Sequence, residues 1–271
     1  MLSRRADWHT AWTWVTLSDI CAPVMLGFES LFLEIRMPIA LTWTGHGTWL
    51  VDTGSGVLLI DPFFDQCPSA SMKALDVACD AILVTHGHFD HVADLVAIAG
   101  RTKAPVLCNP EIAQWLGAQG VKDVRPMNLG GRTTIPGGTA KMEIAHHSSS
   151  LPDGTYGGNP AGWLLDVAGV RAYFAGDTAL FSDMQRIGRP VDGRGLDVAV
   201  LPIGDLFTMG PEDSLEAIRL LRPSVVLPSH YGTWPPIEQD ALAWARSVAE
   251  QKIAHAHVLQ PGESIEVNRS E

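Results

Sequence analysis

Residues 85–91 read Thr85-His86-Gly87-His88-Phe89-Asp90-His91, directly after the apolar run Ala81-Ile82-Leu83-Val84. Four metal-ligating side chains fall within six positions. The run before them is short, continuous and apolar, as expected of a buried strand. Imidazoles and carboxylates at this density are costly to hold beside a core unless something neutralises and orders them, and a divalent cation does both. The stretch therefore reads as a metal-binding loop at the end of a buried strand, and the chain as a metalloenzyme.

Outward from this loop, the pattern predicts strands upstream at Ile39 to Trp43, Thr48 to Val51 and Val57 to Ile60, with Asp52-Thr53-Gly54-Ser55-Gly56 as a hairpin turn. Downstream, a helix is expected from about Asp90, a strand near Pro105 to Cys108, and a helix with Asn109 as N-cap and Pro110 in its first turn. Further strands are expected at Lys141 to Ala145, Gly162 to Val167, Val170 to Phe174, Val198 to Leu201, Ser224 to Leu227 and His257 to Leu259. Two late helices are expected at about Pro211 to Leu221 and Glu238 to Gln251. Hairpins followed by strand–helix units predict an α/β fold of two sheets with helices outside them. No internal repeat is visible.

More ligand candidates follow strands: His146 and His147 after Ala145, Asp177 after Tyr173-Phe174-Ala175-Gly176, and His230 after Val225-Val226-Leu227-Pro228-Ser229. Ligands at strand ends converge on one edge of a sheet. Asp177 also fits a helix cap, and the strand alone does not choose between His146 and His147.

The 271 residues suffice for one large domain. The regular β rhythm begins at Met37, so residues 1–36 are expected to be an N-terminal extension, with Trp8, Trp12 and Trp14 arguing against simple disorder, and residues 37–271 the domain. A net charge of −11 argues against nucleic acid as a partner. No run reaches the ~18 consecutive apolar residues of a membrane span, so no stable membrane insertion is expected. Met1-Leu2-Ser3-Arg4-Arg5 suggests a twin-arginine leader, but Asp7, His9 and Asp19 interrupt the apolar stretch that should follow. Cys21, Cys67, Cys79 and Cys108 show no C-x-x-C spacing and read as reduced thiols of a cytoplasmic protein.

The order H-x-H-x-D-H, later His, Asp, last His resembles the metallo-β-lactamase superfamily. Within it, the chain is similar to the group called UPF0173 metal-dependent hydrolases. Gly45-His46, Leu59-Ile60-Asp61-Pro62-Phe63, Met127-Asn128-Leu129-Gly130-Gly131, His147-Ser148-Ser149-Ser150, Gly176-Asp177-Thr178-Ala179-Leu180-Phe181, Leu201-Pro202-Ile203-Gly204-Asp205 and Phe207-Thr208-Met209-Gly210-Pro211-Glu212-Asp213 carry the likeness, which runs from about Met37 to Val267. Relatives of that group include ascorbate-6-phosphate lactonases and N-acyl phosphatidylethanolamine phospholipases D. The resemblance implies a four-layer αββα sandwich in a single domain and two divalent cations, Zn2+ first, with Mn2+ or Fe2+ as alternatives. It assigns His86, His88 and His147 to one cation, Asp90, His91 and His230 to the other, and Asp177 as the bridge. It also favours His147 over His146. The chain departs from the group at Leu206, where Asn is usual after Gly-Asp, at Gly47, where Ser commonly follows Gly-His, and in residues 1–36.

Such a centre implies hydrolysis of a small ester-like molecule, a lactone, phosphoester or similar, by metal-bound hydroxide. Asp90 and Asp177 are the expected catalytic carboxylates, orienting the nucleophile or passing a proton. Asp61 is the expected acceptor behind a ligand histidine, and His46 a contact of the site rather than a ligand. Tyr156, Asn159, Asp205 and Thr208 are further pocket candidates, and Arg132 is a candidate for holding a phosphate group beside Asn128-Leu129-Gly130-Gly131. Other readings are a non-haem iron oxidoreductase of the same superfamily and a metal-stabilised binding protein without turnover. Homo-oligomers are compatible with the resemblance. His255 and His257 are expected at the surface, and Ser148 to Ser150 lack the G-x-S-x-G setting of a nucleophile.

Overall fold

The computed structural model describes residues 38–269. The expected extension, residues 1–36, lies outside the described residues. The first sheet is built from β1 (Ile39–Gly45), β2 (Thr48–Asp52), β3 (Val57–Ile60), β4 (Ala81–Leu83), β5 (Val106–Cys108) and β6 (Val124–Pro126). Between its last three strands run α1 (Phe89–Val92), α2 (Leu95–Thr102) and α3 (Pro110–Ala118). The second sheet holds β7 (Arg132–Ile135), β8 (Gly138–Ile144), β9 (Ala161–Val167), β10 (Val170–Phe174), β11 (Val198–Pro202), β12 (Val225–Ser229) and β13 (His255–Ala256), joined by α4 (Met184–Ile187), α5 (Pro211–Leu221) and α6 (Ala241–Glu250). The chain then returns to the first sheet as β14 (Ser264–Val267), alongside β1.

Among the described residues both sheets have seven strands, in the orders β14-β1-β2-β3-β4-β5-β6 and β13-β12-β11-β10-β9-β8-β7. Their pairing follows one pattern. From β14 to β3 every pair is antiparallel, and from β3 to β6 every pair is parallel. The second sheet repeats this, antiparallel from β7 to β10 and parallel from β10 to β13. A repeat is thus present in strand pairing although none is visible in the residues. Parallel neighbours need crossover connections, and helices supply them.

Three buried clusters separate four layers. Trp43, Trp49, Val51 and Leu58 of the first sheet meet Met142, Trp163, Leu165 and Phe174 of the second. Leu59, Ile82 and Val106 face Leu95, Ile98, Ile112 and Leu116 of α2 and α3, while Tyr173, Ala199 and Leu201 face Met184, Ile218, Leu221 and Trp244 of α4 to α6. This is the αββα sandwich. Alternation explains it: Trp163, Leu165 and Val167 point between the sheets, and Leu164 points at the helices.

Several boundaries differ from expectation. The helix expected from Asp90 is two short ones, because Asp94 turns its buried carboxylate onto the amides of Phe64 at 2.6 Å and Asp65 at 3.1 Å. The strand expected at His257 to Leu259 lies instead at β13, where Val225 and Val226 set the register. α6 starts after Asp240, whose side chain accepts from the Ala243 amide at 2.8 Å. No helix among the described residues is long and apolar enough to cross a membrane, and Cys67, Cys79 and Cys108 are free.

Asn109 caps α3 as expected, accepting from the Ile112 amide at 2.9 Å, and its amide group also donates to the Gly157 carbonyl at 2.7 Å. Asn109→Ala is expected to cost about 1–2 kcal/mol, checked by the shift of the denaturation midpoint at unchanged slope. An unshifted midpoint would show that this cap contributes nothing.

Candidate metal centre

The strand ends bring the candidate ligands to one edge of the sandwich. His86 and His88 follow β4, Asp90 and His91 lie on α1, and His147, Asp177 and His230 follow β8, β10 and β12. His46 in the β1–β2 turn and Asp61 after β3 complete the group. His46, Asp61 and His230 all take left-handed backbone conformations, φ 52, 50 and 51, which cost energy for residues with a Cβ and cluster at functional sites. At His46 the surroundings hold the strain, since its carbonyl accepts from the Trp43 indole, the Ser229 hydroxyl and the His230 amide. Gly176 lets β10 approach closely: a Cβ there would lie 2.9 Å from the Ala161 carbonyl oxygen and 3.0 Å from the Thr85 side chain.

In the first group, His86 Nε2 lies 2.9 Å from His88 Nδ1, and His147 Nε2 lies 3.3 Å from the same atom. A tetrahedral shell with metal–nitrogen bonds of about 2.0–2.1 Å spaces its ligand atoms about 3.3 Å apart, so these nitrogens suit one cation. In the second group, His230 Nε2 and His91 Nε2 lie 3.7 Å and 3.9 Å from Asp90 Oδ2. Asp177 stands between the groups. Its Oδ2 is 3.0 Å from His230 Nε2, 3.4 Å from His91 Nε2, 3.6 Å from His147 Nε2 and 3.9 Å from His86 Nε2. Buried nitrogens are rarely left without partners, yet His91 Nε2 and His230 Nε2 have no hydrogen bond among the described residues. Both face this carboxylate cluster, as metal ligands would.

Behind the ligands, Asp61 accepts from the Thr85 amide at 2.8 Å and hydroxyl at 2.6 Å, and its Oδ2 lies 2.9 Å from His91 Nδ1. That contact fixes the His91 ring with Nε2 pointing inward. His46 Nε2 sits 3.0 Å from Asp90 Oδ2, and its Nδ1 sits 2.8 Å from the Thr233 hydroxyl. His46 could thus orient Asp90, although its ring nitrogen also lies close enough to Asp90, His91 and His230 to share an ion with them.

The charges couple strongly. Burial lowers His46 to about 4, with His230 adding to the effect, and burial likewise holds His86, His88 and His147 below the usual imidazole value. Burial opposes charge at His91 and His230 too, but Asp177 and the carboxylates near it prevail: His91 is raised well above its ordinary value and His230 to about 9. Asp90 and Asp177 are held far below the carboxylate range despite burial, by His91 and His230. The centre therefore attracts positive charge, which a proton or a metal cation can supply.

His147, not His146, joins the cluster. His146 stacks on Phe181 with centroids 4.7 Å apart, and its amide donates to the Thr178 hydroxyl. No helix follows Asp177 until Met184, so Asp177 does not act as a cap. Gly47 leaves room for a ligand ring, since a Cβ there would come 3.0 Å from His91 Cε1.

A cleft of about 570 Å3 opens over the cluster, with His88, Asp90, His147, Asp177 and His230 at its base and Phe89, Leu151, Pro152, Phe207 and Trp234 as walls. Tyr156, Asn159, Asp205 and Thr208 do not line it. Tyr156 donates to the Asn159 side chain at 3.2 Å, the Asp205 backbone closes the turn to Thr208 and Met209, and the Thr208 hydroxyl bonds the Met209 carbonyl. Arg132 is not at the cleft but on β7. Leu206 is exposed in a left-handed conformation, and its neighbour Phe207 reaches the cleft. Phe207, Thr233 and Trp234 were not legible as site residues; for Thr233 and Trp234 the one signal was their place directly after His230-Tyr231-Gly232.

The model of the beta-lactamase superfamily domain matches residues 57–231. A UPF0173 metal-dependent hydrolase of Thermus thermophilus is 47% identical over 230 residues, 85% of this chain and 100% of the relative. One from Pelotomaculum thermopropionicum is 42% identical over 231 residues, 84% and 99% of the two chains. Among solved structures, a metallo hydrolase from the hyperthermophilic archaeon Ignicoccus hospitalis superposes with a TM-score of 0.76 at 34% identity, over 84% of this chain and 98% of that one. With the αββα layers and the His/Asp cluster at their edge, these likenesses establish that the chain belongs to the metallo-β-lactamase superfamily and, within it, to the UPF0173 metal-dependent hydrolases.

Proposed function

We propose that the centre holds two divalent cations, zinc first, and hydrolyses a small, uncharged ester such as a lactone or carboxylic ester. The position of Asp177 carries this reading, because one oxygen lies within 3.9 Å of four imidazole nitrogens drawn from both ligand groups. His86, His88 and His147 would hold one cation, Asp90, His91 and His230 the other, with Asp177 shared. When bound, two such cations would supply a nucleophile by lowering the pKa of water and would polarise an attacked carbonyl. Asp90, at the base of the cleft and held by His46, is placed to orient the nucleophile and to pass a proton to the leaving oxygen.

The walls of the cleft support the substrate class. Among the described residues that line it there is no Lys or Arg, and five are apolar. A phosphoester would find no lysine or arginine on those walls, whereas an acyl or aromatic group would bury apolar surface at roughly 25 cal/mol per Å2. Trp234 anchors that wall, packing on His46 at 5.0 Å and Phe89 at 6.1 Å between ring centroids.

The test compares carboxylic esters, lactones and phosphodiesters on protein that is stripped of metal and then reconstituted. Ester hydrolysis should vanish on stripping and return with zinc or manganese; full activity in the metal-free protein would refute the reading. Trp234→Ala should raise KM for an aromatic ester by about tenfold, with a smaller effect on kcat. A preference for phosphodiesters, unchanged by Trp234→Ala, would overturn the substrate class and leave the metal reading standing.

A further inference from the structure

The outer face of the second sheet carries a concentration of the opposite charge. A pocket of about 360 Å3 is lined there by Arg132, Lys141, Arg171, Arg186, Arg189 and Arg194. In a chain of net charge −11 with 19 basic residues, this is a local reversal of sign. Three carboxylates also line the pocket, those of Glu143, Asp166 and Asp192. Asp166 takes both bonds of the Arg194 fork, at 3.1 Å and 2.8 Å, and Glu143 takes Lys141. Arg132, Arg171, Arg186 and Arg189 form no ion pair with a carboxylate among the described residues.

Two features make this surplus costly in the absence of a ligand. Arg132 lies directly opposite Lys141 across β7 and β8, and like charges facing each other in a sheet are destabilising. Arg171 is only 3% exposed, and a buried guanidinium normally has a carboxylate partner. Its Nη1 donates instead to the carbonyls of Arg194 at 2.6 Å and Arg189 at 3.4 Å, which fix the head group without neutralising it. Burial, reinforced by Arg194 and Arg132 and partly offset by the Asp166 and Asp197 carboxylates, holds Arg171 below the usual guanidinium value.

We propose that this pocket is an anion site, separate from the metal centre, that takes a phosphate group, free or carried by a small molecule. Guanidinium forks match the oxygens of a phosphate in pairs, and the volume lies in the range of small-molecule pockets. A second copy of the chain is the weaker fit, because it would bring its own charge of −11 against this one. β10 carries Arg171 as its second residue beside the pocket and leads to Asp177 at the metal centre, so occupancy bears on one end of the strand that positions the central carboxylate.

The experiment titrates metal-loaded protein with inorganic phosphate and, separately, with glycerol phosphate, by calorimetry at constant ionic strength. Saturable binding of about one equivalent is expected, weakened about tenfold or more in Arg186→Gln/Arg189→Gln, with ester hydrolysis and metal content unchanged. Arg132→Gln, also exposed, serves as a second variant and should weaken binding in the same direction. Binding of both ligands assigns the site to phosphate esters, and binding of phosphate alone assigns it to the free ion. The proposal is overturned if neither binds, if the arginine variants bind as the parent does, or if Asp177→Ala abolishes binding, which would place the phosphate on the metals. Self-association that these variants abolish, without phosphate binding, would assign the patch to a second copy.

Discussion

Asp177→Ala is expected to lower ester hydrolysis by on the order of 10²–10³-fold and to reduce the number of bound cations from two to one or none. The carboxylate is buried, with 4% of its side chain exposed, and its Oδ2 faces His86 and His147 on one side and His91 and His230 on the other. No other carboxylate among the described residues is so placed. Asp90 reaches His46, His91 and His230 only. Removing Asp177 would leave the histidines competing for cations without the charge that offsets them. Asp177→Glu should be milder in metal content than in rate, because a longer side chain keeps the charge while displacing the oxygen. The checks are metal analysis after gel filtration and single-turnover rates. Retention of both cations and of the rate in Asp177→Ala would show that the two groups do not depend on a shared ligand.

Asp61→Ala is expected to destabilise the metal-loaded protein by about 3–5 kcal/mol and to weaken cation binding about 10–100-fold. Asp61 touches no cation in this account. Its carboxylate is the acceptor for the Thr85 amide, the Thr85 hydroxyl and the His91 ring, all of them buried. Alanine would leave these donors without a partner, and His91 would lose the contact that aims its Nε2. Asp61→Asn should fall between alanine and the parent, since one oxygen remains and asparagine tolerates the left-handed φ of 50. Denaturant midpoints and competition with a chromogenic chelator measure the two effects. A variant that unfolds like the parent and binds metal as tightly would remove Asp61 from the site's support.

The metal loop was legible because its residue types are rare at that density, and because Ala81 to Val84 before it has the unbroken apolarity of a strand covered on both faces. The parallel strands read clearly for the same reason. The edge strands did not. β14 is half exposed, β6 is exposed along most of its length, and β7 carries Arg132 and two threonines, so they lack the apolar run that marks a buried strand. Pairing with β1, β5 and β8 gives them their conformation, and pairing partners are not visible in a linear pattern. The break at Asp94 was hidden likewise, since the amides it binds come from residues 64 and 65.

The site divides along the same line. Residues that follow strongly apolar strands, such as Asp177 and His230, could be placed on one sheet edge from order alone. The division of histidines between two groups depends on which of them the loop after β8 approaches, as His147 approaches His88 at 3.3 Å, and spacing does not fix that. The cleft walls were invisible because Phe89, Phe207 and Trp234 come from the start of α1 and from two separate loops. Tyr156, Asn159, Asp205 and Thr208 are near the right loops, but the Tyr156 hydroxyl bonds the Asn159 side chain, the Thr208 hydroxyl bonds the Met209 carbonyl, and the Asp205 backbone closes that turn.

The most direct measurement of the central claim is a zinc titration of metal-stripped protein, followed by elemental analysis and by the rate of ester hydrolysis on the same samples. Two cations per chain are predicted, with activity rising to a break at two equivalents and Asp177→Ala failing to reach it. Full activity at one equivalent, or in protein with no metal, would contradict the shared-carboxylate centre.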